Sequence, residues 1–239
     1  MILGTGLLPA APLQGFSIEV EFTASAASVG GVIIGQAVDA SNLQPAVAVA
    51  LVPAVAGGGL AYPTASFGCP NPSPALASGQ ASGQGFVFGT DSPVTVLDGD
   101  THLLSLVVTG PSPAGGLAMS LMSAQFFLDG APCGTATLPP WVPYFMLSTT
   151  EPVLLGAVPA TATAFDGEIY LARLWTVPLT VDEVLNNYRT PPTPDSNSPF
   201  VLFDFAGDSF GLLAQPFSSG SAVLASLGGA ASLEFTSSP

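Results

Sequence analysis

Two carboxylates stand two residues apart in the run Phe16-Ser17-Ile18-Glu19-Val20-Glu21-Phe22, with Ser17 two residues before the first. Successive side chains of a strand point to opposite faces, so Ser17, Glu19 and Glu21 share one face. Two carboxyl groups about 5–5.5 Å apart are what a retaining glycoside hydrolase needs, one as nucleophile and one as acid/base. The same alternation also describes an ordinary sandwich strand with one wet face, and that plainer reading is the expectation taken forward.

Five further carboxylates, Asp91, Asp98, Asp100, Asp129 and Asp166, fall in turn-rich stretches and offer oxygens of the kind calcium takes. Asp98-Gly99-Asp100 is the densest pair, but it lacks the extra acid and the spacing of a calcium loop, and a turn explains it without metal. No cofactor is expected, calcium being the one ion these loops could hold. His102 is the only histidine. No cysteine nucleophile adjoins it and no serine sits in a nucleophile elbow, so a catalytic triad is not expected and His102 reads as a strand-end residue. Trp141, Tyr144 and Phe145 in PPWVPYF present flat faces suited to a pyranose ring, or else to a hydrophobic cap or a subunit contact. Cys69 and Cys133 are the only cysteines. A zinc site lacks its third and fourth ligands, and the expectation is a disulfide closing a loop of about 65 residues, worth about 4 kcal/mol in the chain-entropy model; two free thiols are the alternative.

The elements that must position these residues are short strands. Phe16–Phe22 alternates cleanly, and further β-rich runs fall at Val32–Ile34, Val47–Val52, Phe86–Phe88, Val94–Leu97, Leu103–Thr109, Leu121–Leu128, Val153–Leu155, Ile169–Trp175 and Phe200–Phe205. Gly, Pro, Asn or Asp separates most of them. One helix is expected after Thr180, which can cap with Glu183 as its box partner, placing Val184, Leu185 and Tyr188 on one face before Pro191 and Pro192 stop it. Pro70–Gly85 reads as a long surface loop, and Thr190–Pro199 as a connector open to O-glycosylation. No Asn-X-Ser/Thr sequon free of proline occurs. Many strands with little helical periodicity predict an all-β, two-sheet antiparallel sandwich or jelly roll.

Composition narrows the function. Of 239 residues 2 are Lys or Arg and 16 are Asp or Glu, giving a net charge of −14, while 48% are apolar and the mean hydropathy is +0.57. Nucleic acid is excluded as a partner because phosphate binding needs clustered Lys and Arg. No run of about 18 apolar residues survives the Gly and Pro breaks, so no membrane span is expected, and Met1–Gly15 lacks the basic n-region of a signal peptide. A compact monomer of this mass would expose roughly 9,900 Å², or about one formal charge per 550 Å². So sparse a surface reads as that of a subunit or module packed against copies of itself or against a larger chain, the alternative being a monomer whose surface is mostly Ser, Thr, Gly, Ala and Gln.

The order of segments resembles the laminin G-like, or concanavalin A-like, jelly roll. The matching pieces are His102–Thr109 (HLLSLVVT), the hairpin Phe126-Phe127-Leu128-Asp129-Gly130, Val153-Leu154-Leu155-Gly156, the run from Phe165-Asp166-Gly167 to Trp175, and Leu179 to Val184, with Phe16–Phe22 as the family's early strand. The resemblance implies one jelly-roll domain over residues 1–189. A Pro-rich connector at 190–199 follows, and 200–239 then supply closing strands of the same domain or begin a next repeat. It also places Arg173 on the family's usual arginine, where pairing with a carboxylate is implied. Thr101 stands where the family usually has Trp, and Gly110-Pro111-Ser112-Pro113 replaces its Tyr-Asp-Gly turn. The string SIEVEF is similar to the signature strand of jelly-roll glucanases, but Ser17 occupies the nucleophile position. The expected function is therefore a non-enzymatic structural module that self-assembles in an extracellular filament, appendage, coat or particle. A carbohydrate-binding or adhesion module is the alternative, and a glycoside hydrolase the weakest reading.

Overall fold

A computed structural model of the protein describes residues 2–5, 15–28, 30–37, 45–55, 58–67, 78–82, 85–110, 122–138, 152–156, 165–192, 200–204 and 211–213. The strands among them are β1 (Ile2–Thr5), β2 (Phe16–Thr23), β3 (Gly31–Ala37), β4 (Pro45–Pro53), β5 (Leu60–Phe67), β6 (Ser78–Ser82), β7 (Gly85–Gly89), β8 (Val94–Thr95), β9 (Thr101–Thr109), β10 (Ser123–Leu128), β11 (Ala131–Thr137), β12 (Pro152–Leu155), β13 (Glu168–Trp175), β14 (Phe200–Asp204) and β15 (Gly211–Leu213). A helix, α1 (Val181–Arg189), lies between β13 and β14.

The strands form two antiparallel sheets. One runs β1-β12-β3-β4-β5-β7-β6, with β8 paired to β5, and the other β11-β10-β9-β2-β13-β14-β15. This is the two-sheet antiparallel jelly-roll sandwich expected from the sequence. Alternation explains how the sheets meet: Phe16, Ile18, Val20 and Phe22 of β2, Leu104, Leu106 and Val108 of β9, and Ala172 and Leu174 of β13 turn inward. They pack against Ile34, Val49, Leu51, Phe67 and Phe88 of the facing sheet, all in one continuous core.

Several elements depart from the sequence reading. β6 lies within Pro70–Gly85, read as a loop, because its small polar residues carry no period-2 signal yet still complete a ladder with β7. β5, whose sequence LAYPTASF is broken by Pro63, and β11, whose sequence APCGTAT holds almost no large apolar residue, were not expected as strands. In β11 the pairing partners jump from Gly134 opposite Phe126 to Pro132 opposite Phe127, so Cys133 is the extra residue of a bulge.

The outer face of β2 is not wet. Val107, Phe127, Trp175, Leu179 and Val184 form a second apolar cluster there, with Leu171 against it. Helix α1 and the segment leading into it cover the middle of the sheet. The helix starts as expected: the Thr180 hydroxyl accepts from the Glu183 N–H, and the Glu183 carboxylate accepts from the Thr180 N–H at 2.7 Å. Its buried face differs from the expected one. Val184 and Asn187 are buried, Leu185 is half-buried against the β10–β11 turn, and Tyr188 is exposed.

Candidate functional site

β9, β2 and β13 are hydrogen-bonded neighbours, and their register sets Ser105 opposite Glu19 and Glu19 opposite Arg173. The expected wet stripe is therefore a buried one. Glu19 and Arg173 are 0% and 1% exposed, with Arg173 Nε 3.0 Å from Glu19 Oε2. That contact is too bent to be a hydrogen bond, and Arg173 Nη1 is buried without a hydrogen-bond partner among the described residues. Trp175 Nε1 donates to Glu19 Oε2 at 3.0 Å, Asn187 Nδ2 from α1 lies 3.3 Å from both carboxylate oxygens, and Ser105 Oγ donates at 3.4 Å. Burial pushes the Glu19 pKa up, opposed by Arg173, Trp175, Asn187 and Ser105. Burial likewise lowers that of Arg173, opposed by Glu19 and Glu21.

Ser17 is committed in the same way. Its hydroxyl donates to the Val177 carbonyl at 3.1 Å and accepts the Leu179 N–H at 2.9 Å. Ser17 and Glu19 thus hold α1 and its approach against the sheet, and only Glu21 of the three is partly open. Glu19 is 0% exposed and its oxygens are engaged by Trp175 and by Asn187 of α1, so the arrangement fits anchoring of the helix.

A second polar cluster closes one end of the sandwich. Asp129 and Gly130, at φ 51° and 78°, make the tight β10–β11 turn with left-handed residues at both corners. Asp129 Oδ1 accepts the Leu103 N–H at 2.9 Å, and its Oδ2 lies 2.9 Å from His102 Nδ1. His102 Nε2 lies 3.1 Å from Asp98 Oδ1, which also accepts the Asp100 N–H at 2.9 Å. Burial disfavours the charged imidazole, but the hydrogen bonds and charge of Asp129 and Asp98 outweigh it and raise the His102 pKa. The Asp100 N–H, ahead of His102, lowers that of Asp98. One histidine therefore ties the Asp98–Asp100 turn to the β10–β11 hairpin.

Of the other carboxylates considered for calcium, Asp91, Asp100 and Asp166 are exposed. The Asp166 carbonyl, not its carboxylate, is engaged, accepting from Ser28 Oγ at 2.7 Å. Among the described residues no group of three or more His, Cys, Asp or Glu is arranged to hold a metal ion. Cys133 is half-buried, and burial and then Asp129 push its thiol up to about 11. Cys69, the partner expected for it, lies outside the described residues, as do Trp141, Tyr144 and Phe145. The sequence reading missed Asn187 and the link from His102 to Asp129. The second could have been found from Asp-Gly at a hairpin beside a strand that opens on His.

Neither a scan against protein-family models nor a search of curated proteins finds a match. Solved structures do. A native heptameric SAP-like pentraxin from Limulus polyphemus superposes with a TM-score of 0.50 at 12% identity, over 93% of this chain and 82% of that one. A candidate carbohydrate binding protein from Bacteroides ovatus ATCC 8483 gives 0.52 at 13% identity, over 87% of this chain and 50% of that one. Domains LG4-5 of the mouse laminin alpha1 chain give 0.44 at 13% identity, over 76% and 40%. At these identities the likeness to the pentraxin and the Bacteroides ovatus protein is one of fold alone, a concanavalin A-like jelly roll.

Proposed function

We propose that this chain is a non-enzymatic structural module that packs against copies of itself in an extracellular filament, appendage, coat or particle. The observation that carries the reading is the scarcity of surface charge. Of the two arginines, Arg173 is buried with Glu19, which leaves Arg189 as the one Lys or Arg side chain at the surface. Such a surface is the kind that associates, because obligate interfaces are more apolar than ordinary surface and depleted in charge at their centres. The commitment of Ser17 and Glu19 to anchoring supports a role without catalysis. No helix of the described residues is long and apolar enough to cross a membrane.

A second reading, carbohydrate binding or adhesion, is favoured by the fold shared with the Bacteroides ovatus protein, although one fold hosts many functions. Trp141, Tyr144 and Phe145 would then supply the sugar platform, with calcium from the turn carboxylates as an accessory. Negative-stain microscopy of the purified protein, beside retention on glycan matrices with and without a chelator, separates the two. Regular polymers or shells without ligand support the structural reading. A discrete particle held by a sugar matrix overturns it in favour of the lectin.

A further inference from the structure

Three of the four large apolar side chains most exposed among the described residues lie on α1 or its approach: Val177, Val181 and Tyr188. At 100° per residue, Val181, Leu185 and Tyr188 fall within about 60° of one another on the helix, and the buried Val184 and Asn187 follow about 40° and 100° past Tyr188 on one side of that stripe. Asp182 and Arg189 lie together on one flank of that stripe. Seven residues separate them, about 10.5 Å along the axis, too far to pair within one helix. Arg189 makes no ion pair among the described residues. The only surface Lys or Arg of a chain with net charge −14 thus stands unpaired beside an exposed tyrosine, with an acidic residue two turns away on the same flank.

We infer that α1 is a self-association surface whose partner is the α1 of a second copy, packed antiparallel about a two-fold axis, with Arg189 of each copy against Asp182 of the other. This rests on the structural reading proposed above. The charge arrangement supports a second copy as the occupant. A two-fold perpendicular to the two helices keeps each flank on its own side while reversing direction, which brings Asp182 level with Arg189 twice over. Tyr188 of one copy then covers Val181 of the other. A nine-residue helix is about 13.5 Å long and cannot alone supply the roughly 800 Å² per partner of a standard interface. The β10–β11 turn extends the patch, since Gly130 abuts Leu185 and Tyr188 and the next residues, Ala131 and Pro132, are exposed. An isologous contact of this kind closes on itself as a dimer, so a polymer requires a second, separate contact.

The test is complementation between two variants, read by sedimentation equilibrium of the intact chain. Asp182→Lys and Arg189→Glu each set like charges against one another twice, and each weakens dimerisation by about tenfold or more. Mixed one to one they form a heterodimer in which both pairs have opposite charges again. One pair joins the two substituted side chains, and the other joins the Arg189 and Asp182 that each variant retains, so the dimer returns. Circular dichroism of each variant confirms that it is folded. A wild type that assembles while the single variants assemble equally well, or a mixture that stays dissociated, overturns the helix contact alone. A wild type that stays monomeric overturns both this contact and the structural reading.

Discussion

His102 has a carboxylate oxygen within hydrogen-bond distance of each ring nitrogen. Only the imidazolium can donate from both nitrogens; the neutral ring turns a lone pair toward one carboxylate. Its pKa is raised in the fold, so its contribution to stability is complete below the unfolded value of about 6.5 and is lost as pH rises through the folded value. Asp98 is shifted down, so its contribution is present above its unfolded value and is lost as pH falls through the folded one. This end of the sandwich is therefore most stable between the two. The melting temperature is expected to fall as pH rises through neutrality, and to fall less steeply in His102→Gln; parallel curves would contradict the link. The Glu19–Arg173 pair makes a different prediction. Glu19→Ala strands a buried guanidinium and is expected to cost about 3–5 kcal/mol in urea denaturation, whereas Glu19→Leu with Arg173→Met should lose much less. The sequence made Arg173 legible as a paired arginine only through a family resemblance. Burial of Glu19 was not legible, because period 2 says that two faces differ but not that a helix far along the chain covers the second.

The helix and the hairpin it touches show how far local signals reach. The capping box at Thr180 and Glu183 is a contact between residues three apart, and the structure holds it as read. Thr180→Ala should lose about 1 kcal/mol, measured by the denaturation midpoint. Which face of α1 is buried depends on the sheet beneath it, and there Asn187, drawn in by Glu19, takes the place expected for Tyr188. The Asp129-Gly130 turn was legible for the same local reason, whereas its contact with α1 was not. A Cβ at Gly130 would meet Leu185 Cδ1 at 2.9 Å and Leu185 Cα at 3.2 Å, while one at Gly99 would meet nothing within 4 Å. Both glycines have positive φ, so each alanine carries a backbone cost of about 1–2 kcal/mol. Gly130→Ala should be the more destabilising of the two, and the difference measures how tightly the hairpin seats against the helix.

The whole sandwich was legible because β2, β9, β10 and β13 carry strong apolar alternation and because their order resembles a known jelly roll. β5, β6 and β11 were not, since Pro63, small polar residues and a bulge at Cys133 erase the pattern while the neighbouring strands still supply the hydrogen bonds. The proposed association draws on the surface left over once both faces of the β2 sheet are covered, and that surface is poor in Lys and Arg, with Arg189 the one such side chain on it. The most direct test of self-assembly is light scattering of the purified protein across a wide range of concentration. The account expects a mass that climbs from 23.9 kDa through multiples of it as concentration rises. A single species of 23.9 kDa at every concentration would contradict it.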